Sequence, residues 1–374
     1  MKSKKTLLVP QELSIKTQDI DKSNYPEYIE KIFEFKIPAG QQPERIDKYL
    51  TRSVVNATRN RVQKAIDEDQ VTINGKVAKP SKKILPNDLI ICKILKSPPI
   101  SLIPENIPLN IIYEDESIIV INKQAGLVTH PAPGNRYGTL VNAVLYHIGL
   151  REAINLEFDE DDEPDESLIF SSDEIRPGIV HRLDKDTSGL LVVSKNPVAH
   201  AKLSKQFADR TVKKKYYALV WGNPKQSKGR IIADIGRSSR DRKLFTVLKK
   251  GGKFADTEYK VIESFEYFSL LEILLHTGRT HQIRVHLSHE SMPIVGDTFY
   301  GGNSLVYGGN NPQFRIIGEK VLKLAARQML HAKTLSLHHP VSGQELTFDS
   351  NIPEDMQIII DYLRIISSTQ NSDL

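Results

Sequence analysis

Nine residues, His181 to Gly189, read H-R-L-D-K-D-T-S-G. They lie between the apolar pair Ile179-Val180 and the run Leu190–Val193, which is short and β-branched enough to be a buried strand. Charge set between apolar runs is costly unless it is paired or used, so chemistry is expected here. Asp184 and Asp186 flank Lys185. On an extended segment, positions two apart face the same side and their charges repel. No histidine or further acid is spaced to complete a metal shell around them. One carboxylate is therefore expected to work, and the other to be structural or solvated. A working aspartate in a closed pocket must stay ionised, which calls for a fixed cation. Arginine suits because it does not lose its proton. Arg279 and Arg284, in T-G-R-T-H-Q-I-R, are the candidates.

Two other groups of residues invite chemistry. His276, His281, His286 and His289 suggest a metal cluster, but on a helix His281 and His286 point about 140° apart. His286 and His289 lack the acid of an H-E-x-x-H arrangement, so packing or RNA contact is the better reading. Tyr216 and Tyr217 follow three lysines on a strand-like run, where side chains alternate between faces. One ring is expected inside, where it could stack on an extruded base, with lysines on the flanking phosphates.

The elements that must position these groups can be read along the chain. Residues 1–42 show weak periodicity and are expected to be an extension, partly ordered near Ile29–Ile37. Residues 43–96 form a compact unit: a helix carrying Ile46 and Leu50, a second with Val62 and Ile66, then V-T-I-N-G-K-V, a hairpin about Asn74-Gly75, and a strand Leu89–Leu95. Residues 97–108 hold proline after proline and read as an extended linker. The larger domain is expected over 109–368. Thr139 is placed to cap a helix bearing Leu140, Val144 and Ile148; Asn196-Pro197 starts another. Strands are expected over 213–222, 229–235, 257–263 and 268–276, with Thr280 as N-cap of the helix that follows. Many strands and few helices, not alternating, predict an α+β fold with a mixed, mainly antiparallel sheet, preceded by a small α/β domain.

Composition sets the outer bounds. The 374 residues, with a net charge of +5, carry one cysteine, Cys92, which excludes an internal disulfide framework. No apolar stretch approaches a membrane span and the N-terminal apolar run is too short for a signal peptide, so the chain reads as cytoplasmic, with no membrane partner. Charge is uneven. Residues 195–253 carry 17 Lys/Arg against three acids, the pattern of a polyanion partner. Residues 151–175, with eight acids between Glu157 and Glu166, read as an acidic surface insertion.

Specific motifs then carry a resemblance. R-I-D-K-Y-L, R-N-R-V-Q-K-A-I and V-T-I-N-G-K-V-A-K-P-S resemble the S-four-like RNA-binding domain. The resemblance implies that the second helix, with Arg59, Arg61 and Lys64, meets RNA phosphates. H-R-L-D-K-D-T-S-G, K-K-Y-Y-A-L-V-W-G, L-H-T-G-R-T-H-Q-I-R-V-H-L and R-Q-M-L-H-A-K-T-L-S-L-H-H-P are similar to the RluA-type family of RNA pseudouridine synthases, in its RluD-like branch. That resemblance implies the pseudouridine synthase fold and isomerisation of uridines in RNA, foremost large-subunit ribosomal RNA. No cofactor or metal is implied, and a monomer is expected. By position, Asp184 would be the catalytic aspartate, Arg279 its salt-bridge partner, and Tyr216 the pocket tyrosine stacked on uracil. Arg182 would help displace the flipped nucleotide, Leu275 would line the pocket floor, and Lys214 would contact RNA. Whether Asp184 attacks the sugar, attacks the base or removes a proton stays open, and Tyr216 could also assist proton removal at C5. The rival expectation is a catalytically silent RNA-binding factor for ribosome assembly.

Overall fold

The Asn74-Gly75 turn forms as its dipeptide demands. Both residues take positive φ, 50° and 77°, and join the strands Val71–Ile73 and Lys76–Val77. The structure, a computed structural model, describes residues 29–53, 59–96, 100–131, 135, 137–151, 154–156, 178–241 and 244–372. The chain divides into two units, residues 1–99 and 100–374.

In the first unit a four-stranded antiparallel sheet runs Ile29–Lys36, Leu89–Lys96, Val71–Ile73, Lys76–Val77. Helices Ile46–Ser53 and Arg59–Asp67 close over it and bury Ile46, Leu50, Val62 and Ile66 against Val71, Ile84 and Ile90. The order expected near Ile29–Ile37 thus takes the form of a full strand, Ile29–Lys36. Its alternation is blurred because Ile32, on the outward face, stays exposed.

The second unit is built on one mixed sheet, mainly antiparallel. Along its main path the order is Phe245–Leu248, Lys228–Arg237, Lys253–Ser264, Phe268–Leu275, Lys213–Trp221, Leu330–His338, Ser188–Ser194, Ile118–Lys123, Ile111–Glu114. Every pairing in it is antiparallel except one at its centre, where Ser188–Ser194 runs parallel to Leu330–His338. Leu190, Leu191, Val192 and Val193 are almost wholly buried there, each stabilising the fold by about 1.5–3 kcal/mol. Gly189 ends the nine-residue motif at φ 113°, and a Cβ on it would stand 2.3 Å from the Ala332 carbonyl oxygen. Only glycine admits this close parallel approach.

Helices Leu140–His147 and Pro197–Ala208 start where expected, with Thr139 and Asn196 as side-chain caps. The helix after the T-G-R-T-H motif does not. It spans Gln282–His289, and its N-cap is His281 rather than Thr280. Residues 100–102, within the stretch expected as linker, form a strand paired with Ile154–Leu156. The acidic run Glu157–Glu166 lies outside the described residues.

Candidate active site

Asp184 sits in the loop between the strands Gly178–Ile179 and Ser188–Ser194. Four successive carbonyls of that loop are bonded. Leu183 O accepts from Thr129 Oγ1 (2.8 Å), and Asp184 O from the Thr187 amide (3.1 Å). Lys185 O accepts from the Gly126 amide (2.9 Å) and from Lys123 Nζ (3.0 Å). Asp186 O accepts from Arg327 Nη1 (3.0 Å). Lys123 is fully buried and spreads its ammonium over the carbonyls of Gln124, Leu127 and Lys185. Burial pulls its pKa down to about 7, against the pull of Asp184 and Asp186. Saturated in this way, the loop backbone has little freedom to shift.

The side chain of Asp184 reaches a cavity of about 450 Å³, within the ordinary range for a small-ligand site. Its carboxylate is 19% exposed, and Oδ2 accepts from Arg284 Nη1 at 3.0 Å. Arg284 in turn gives Nε and Nη2 to the two oxygens of Asp297, at 2.7 and 2.8 Å. Asp297 is wholly buried and also accepts the amides of Phe299 and Tyr300. Burial works against the charge on Arg284, but the Asp297 and Asp184 carboxylates outweigh it and raise its pKa above the ordinary value.

The pairing of Asp184 with Arg279 expected from the resemblance is not formed. Arg279 lies in the turn ahead of the helix, where its Nε donates to the Phe254 carbonyl (3.0 Å). Arg284, one turn further on, faces the carboxylate. Arg279 still lines the cavity, as do Arg182, Tyr216, Leu275 and Lys214. Arg182 is exposed and Leu275 half-buried.

Tyr216 is buried on the strand Lys213–Trp221 beside a β-bulge, where the register against Leu330–His338 shifts between Lys215 and Tyr216. Burial, with the Asp184 charge, raises its phenol pKa. Lys214 lies on the same side of the strand, 5.5 Å from the Phe207 ring, and burial lowers its pKa to about 8. His181 stacks on Phe207 (4.7 Å) and accepts the Val192 amide at Nε2.

The grouped histidines scatter among different partners. His276 meets Glu258, His281 meets Tyr300, and His286 meets Thr257. Among the described residues no set of three His, Cys, Asp or Glu side chains is placed to hold a metal ion. In the first unit Arg59 is exposed, with Nη2 3.5 Å from the buried carboxylate of Asp47. The side chains of Arg61 and Lys64 lie outside the described residues. Sequence reading passed over Asp297 in G-D-T-F-Y-G-G, because nothing local marks an acid whose partner lies thirteen residues away.

A carboxylate held by a guanidinium, a buried tyrosine and further cations around one cavity suit a nucleotide whose base is turned inward. Two family models match the chain: RNA pseudouridylate synthase over residues 117–289, and S4 domain over residues 44–90. An uncharacterized RNA pseudouridine synthase of Chlorobaculum parvum is 46% identical over 338 residues, covering 89% of this chain and 98% of that protein. The chain belongs to the RNA pseudouridine synthase family. Members of this family are isomerases acting on RNA, and this chain is an RNA pseudouridine synthase with an S4 domain in front. The ribosomal large subunit pseudouridine synthase D of Zymomonas mobilis is 38% identical over 326 residues, covering 86% of the chain and 94% of that protein. Human RNA pseudouridylate synthase domain containing 4 shares the fold, with a TM-score of 0.50 at 24% identity over 68% of this chain and 93% of its own. No helix among the described residues is long and apolar enough to cross a membrane.

Proposed function

We propose that this pseudouridine synthase acts on specific uridines of ribosomal RNA, with Asp184 as the catalytic carboxylate. The single observation that carries this reading is Asp184 itself, set in the wall of the cavity with Oδ2 fixed by Arg284 and the ring of Tyr216 lining the same space. The ribosomal substrate is supported by relatives in Zymomonas mobilis and Neisseria meningitidis named for the large ribosomal subunit, each 38% identical.

The reaction needs a base out of its stack, which costs a few kcal/mol. Cations along the RNA backbone offset part of that cost. Lys214 and Arg279 stand in the cavity to do so, and a phosphate beside Lys214 would restore the charge that burial weakens. The N1–C1′ bond breaks, the uracil turns, and a C5–C1′ bond forms. The proton lost from C5 balances the one gained at N1, so no redox partner enters. The raised pKa of Tyr216 keeps its phenol protonated near neutrality, which supports stacking on the uracil over proton removal.

The test is Asp184→Asn. The variant is expected to fold and bind RNA as the wild type does, and to leave every target uridine unconverted when carbodiimide-reactive positions are mapped across total RNA. Full turnover by it would defeat the assignment to Asp184. Conversion confined to transfer RNA would defeat the ribosomal reading.

A further inference from the structure

His281 holds a backbone conformation that side chains resist. Its φ is 55° and ψ 17°, the left-handed region, at the N-cap of the helix Gln282–His289. At an N-cap the usual return is a side-chain hydrogen bond to the first turn, and His281 makes none. Such a conformation without a capping bond, in a residue lining the cavity, points to use at the site.

The imidazole is fixed on several sides. Its Nδ1 lies 2.8 Å from Tyr300 Oη, and that oxygen accepts the Phe245 amide at 3.1 Å. The Phe245 and Tyr300 rings meet it edge-on, with centroids 5.7 and 5.6 Å away. Tyr300 is itself anchored through its amide to Asp297, the acid that orients Arg284. On its far side His281 Nε2 stands 3.9 Å from Asp184 Oδ1, the oxygen opposite the one Arg284 holds. A bare nitrogen lone pair facing a carboxylate would be repelled, so the proton belongs on Nε2. Nδ1 then accepts from the Tyr300 hydroxyl.

We propose that His281 is a positioning residue for Asp184: with RNA in the cavity its Nε2–H donates to Oδ1, so that Arg284 and His281 together set the attitude of the carboxylate toward the substrate. This rests on the reading of Asp184 as the catalytic group. The present 3.9 Å separation is what a site shows before substrate closes it. The charged groups around the ring are Asp184, Arg284, Asp297 and Arg182. Burial outweighs the two acids and lowers the histidine's pKa, keeping it a neutral donor near pH 7.

Glycine and asparagine both accept the left-handed backbone, so His281→Gly and His281→Asn remove the ring without imposing new strain. Expected are a Tm within a few degrees of that of the wild type, an RNA affinity within about twofold, and a kcat lower by about tenfold to a hundredfold, the range for a hydrogen bond to a charged group. Added imidazole should restore part of the His281→Gly rate. Tyr300→Phe should lower kcat and move the acid limb of the pH–rate profile while RNA affinity holds. Three outcomes would overturn the proposal: wild-type kcat in both His281 variants, loss of Tm and RNA affinity together with kcat, or no imidazole rescue. Asp184→Asn, run alongside, separates the two readings. If it turns over normally, the assignment of Asp184 fails. If it is dead and the His281 variants are fully active, only the inference about His281 fails.

Discussion

Arg284 divides one guanidinium between two acids with unequal surroundings. Asp297 is wholly buried and takes two of its donors; Asp184 borders the cavity and takes a third. Removing the guanidinium strands a buried carboxylate, so Arg284→Met is expected to cost about 3–5 kcal/mol of stability. Arg284→Lys should fold better yet lose turnover, because an ammonium cannot span both acids. Arg279→Ala, by contrast, should leave Tm nearly unchanged and weaken RNA binding. Thermal melts with single-turnover kinetics separate the three; a collapse of Tm in Arg279→Ala with none in Arg284→Met would reverse the roles. H-R-L-D between apolar runs marked the acid that borders the cavity, and T-G-R-T-H-Q-I-R marked the source of its cation. Choosing between the two arginines needed contacts made across the fold: Arg279 is held by the Phe254 carbonyl, while Arg284 is held by Asp297 and reaches Asp184. Lys123 looked like one more strand residue in I-I-V-I-N-K. Its burial under the Asp184 loop is tertiary and leaves no local trace.

At the scale of elements, the loop bearing Asp184 is clamped through its carbonyls while its side chain stays at the cavity. The clamp includes two buried basic side chains on consecutive carbonyls, Lys123 on Lys185 and Arg327 on Asp186. Lys123→Met leaves three carbonyls without that donor. The expected result is a loss of about 2–4 kcal/mol in denaturant unfolding and a kcat that falls more than RNA affinity does. An unchanged kcat in the folded fraction would show that the remaining bonds suffice. Gly189→Ala is a sharper test of the parallel pair. A Cβ 2.3 Å from a backbone oxygen cannot be accommodated by rotating a side chain, so the variant should be recovered unfolded or aggregated. The antiparallel parts were legible, since N-G turns and alternation are local signals. The parallel contact was not, because strands so far apart in sequence give no sign of each other.

Across the whole molecule, charge and buried histidines set the conditions under which it works. The basic excess over 195–253 should make RNA binding steeply salt-dependent, weakening it by about a hundredfold between roughly 50 and 200 mM salt if several phosphates are held. A filter-binding series would show it, and a flat response would deny a phosphate-led interface. His286 and His331 are fully buried, and burial lowers the pKa of each to about 4. Between that value and the ordinary one near 6.5 the unfolded chain binds protons that the folded one refuses. Stability is therefore complete above about pH 6.5 and falls as the pH drops, by about 1 kcal/mol per histidine at roughly pH 5.5. Melting curves from pH 7.5 to 5 should fall accordingly. The parallel pair bears on biosynthesis as well. Ser188 meets His331 across 143 positions of sequence, so a growing polypeptide exposes one apolar flank of the Ser188–Ser194 strand until most of the chain has been translated. During that interval the other flank is already covered by Ile118–Lys123, and the aspartate waits on an unfinished seat. The cavity around Asp184 is thus completed late, and the intermediate most in need of a chaperone is the one that carries the Asp184 loop.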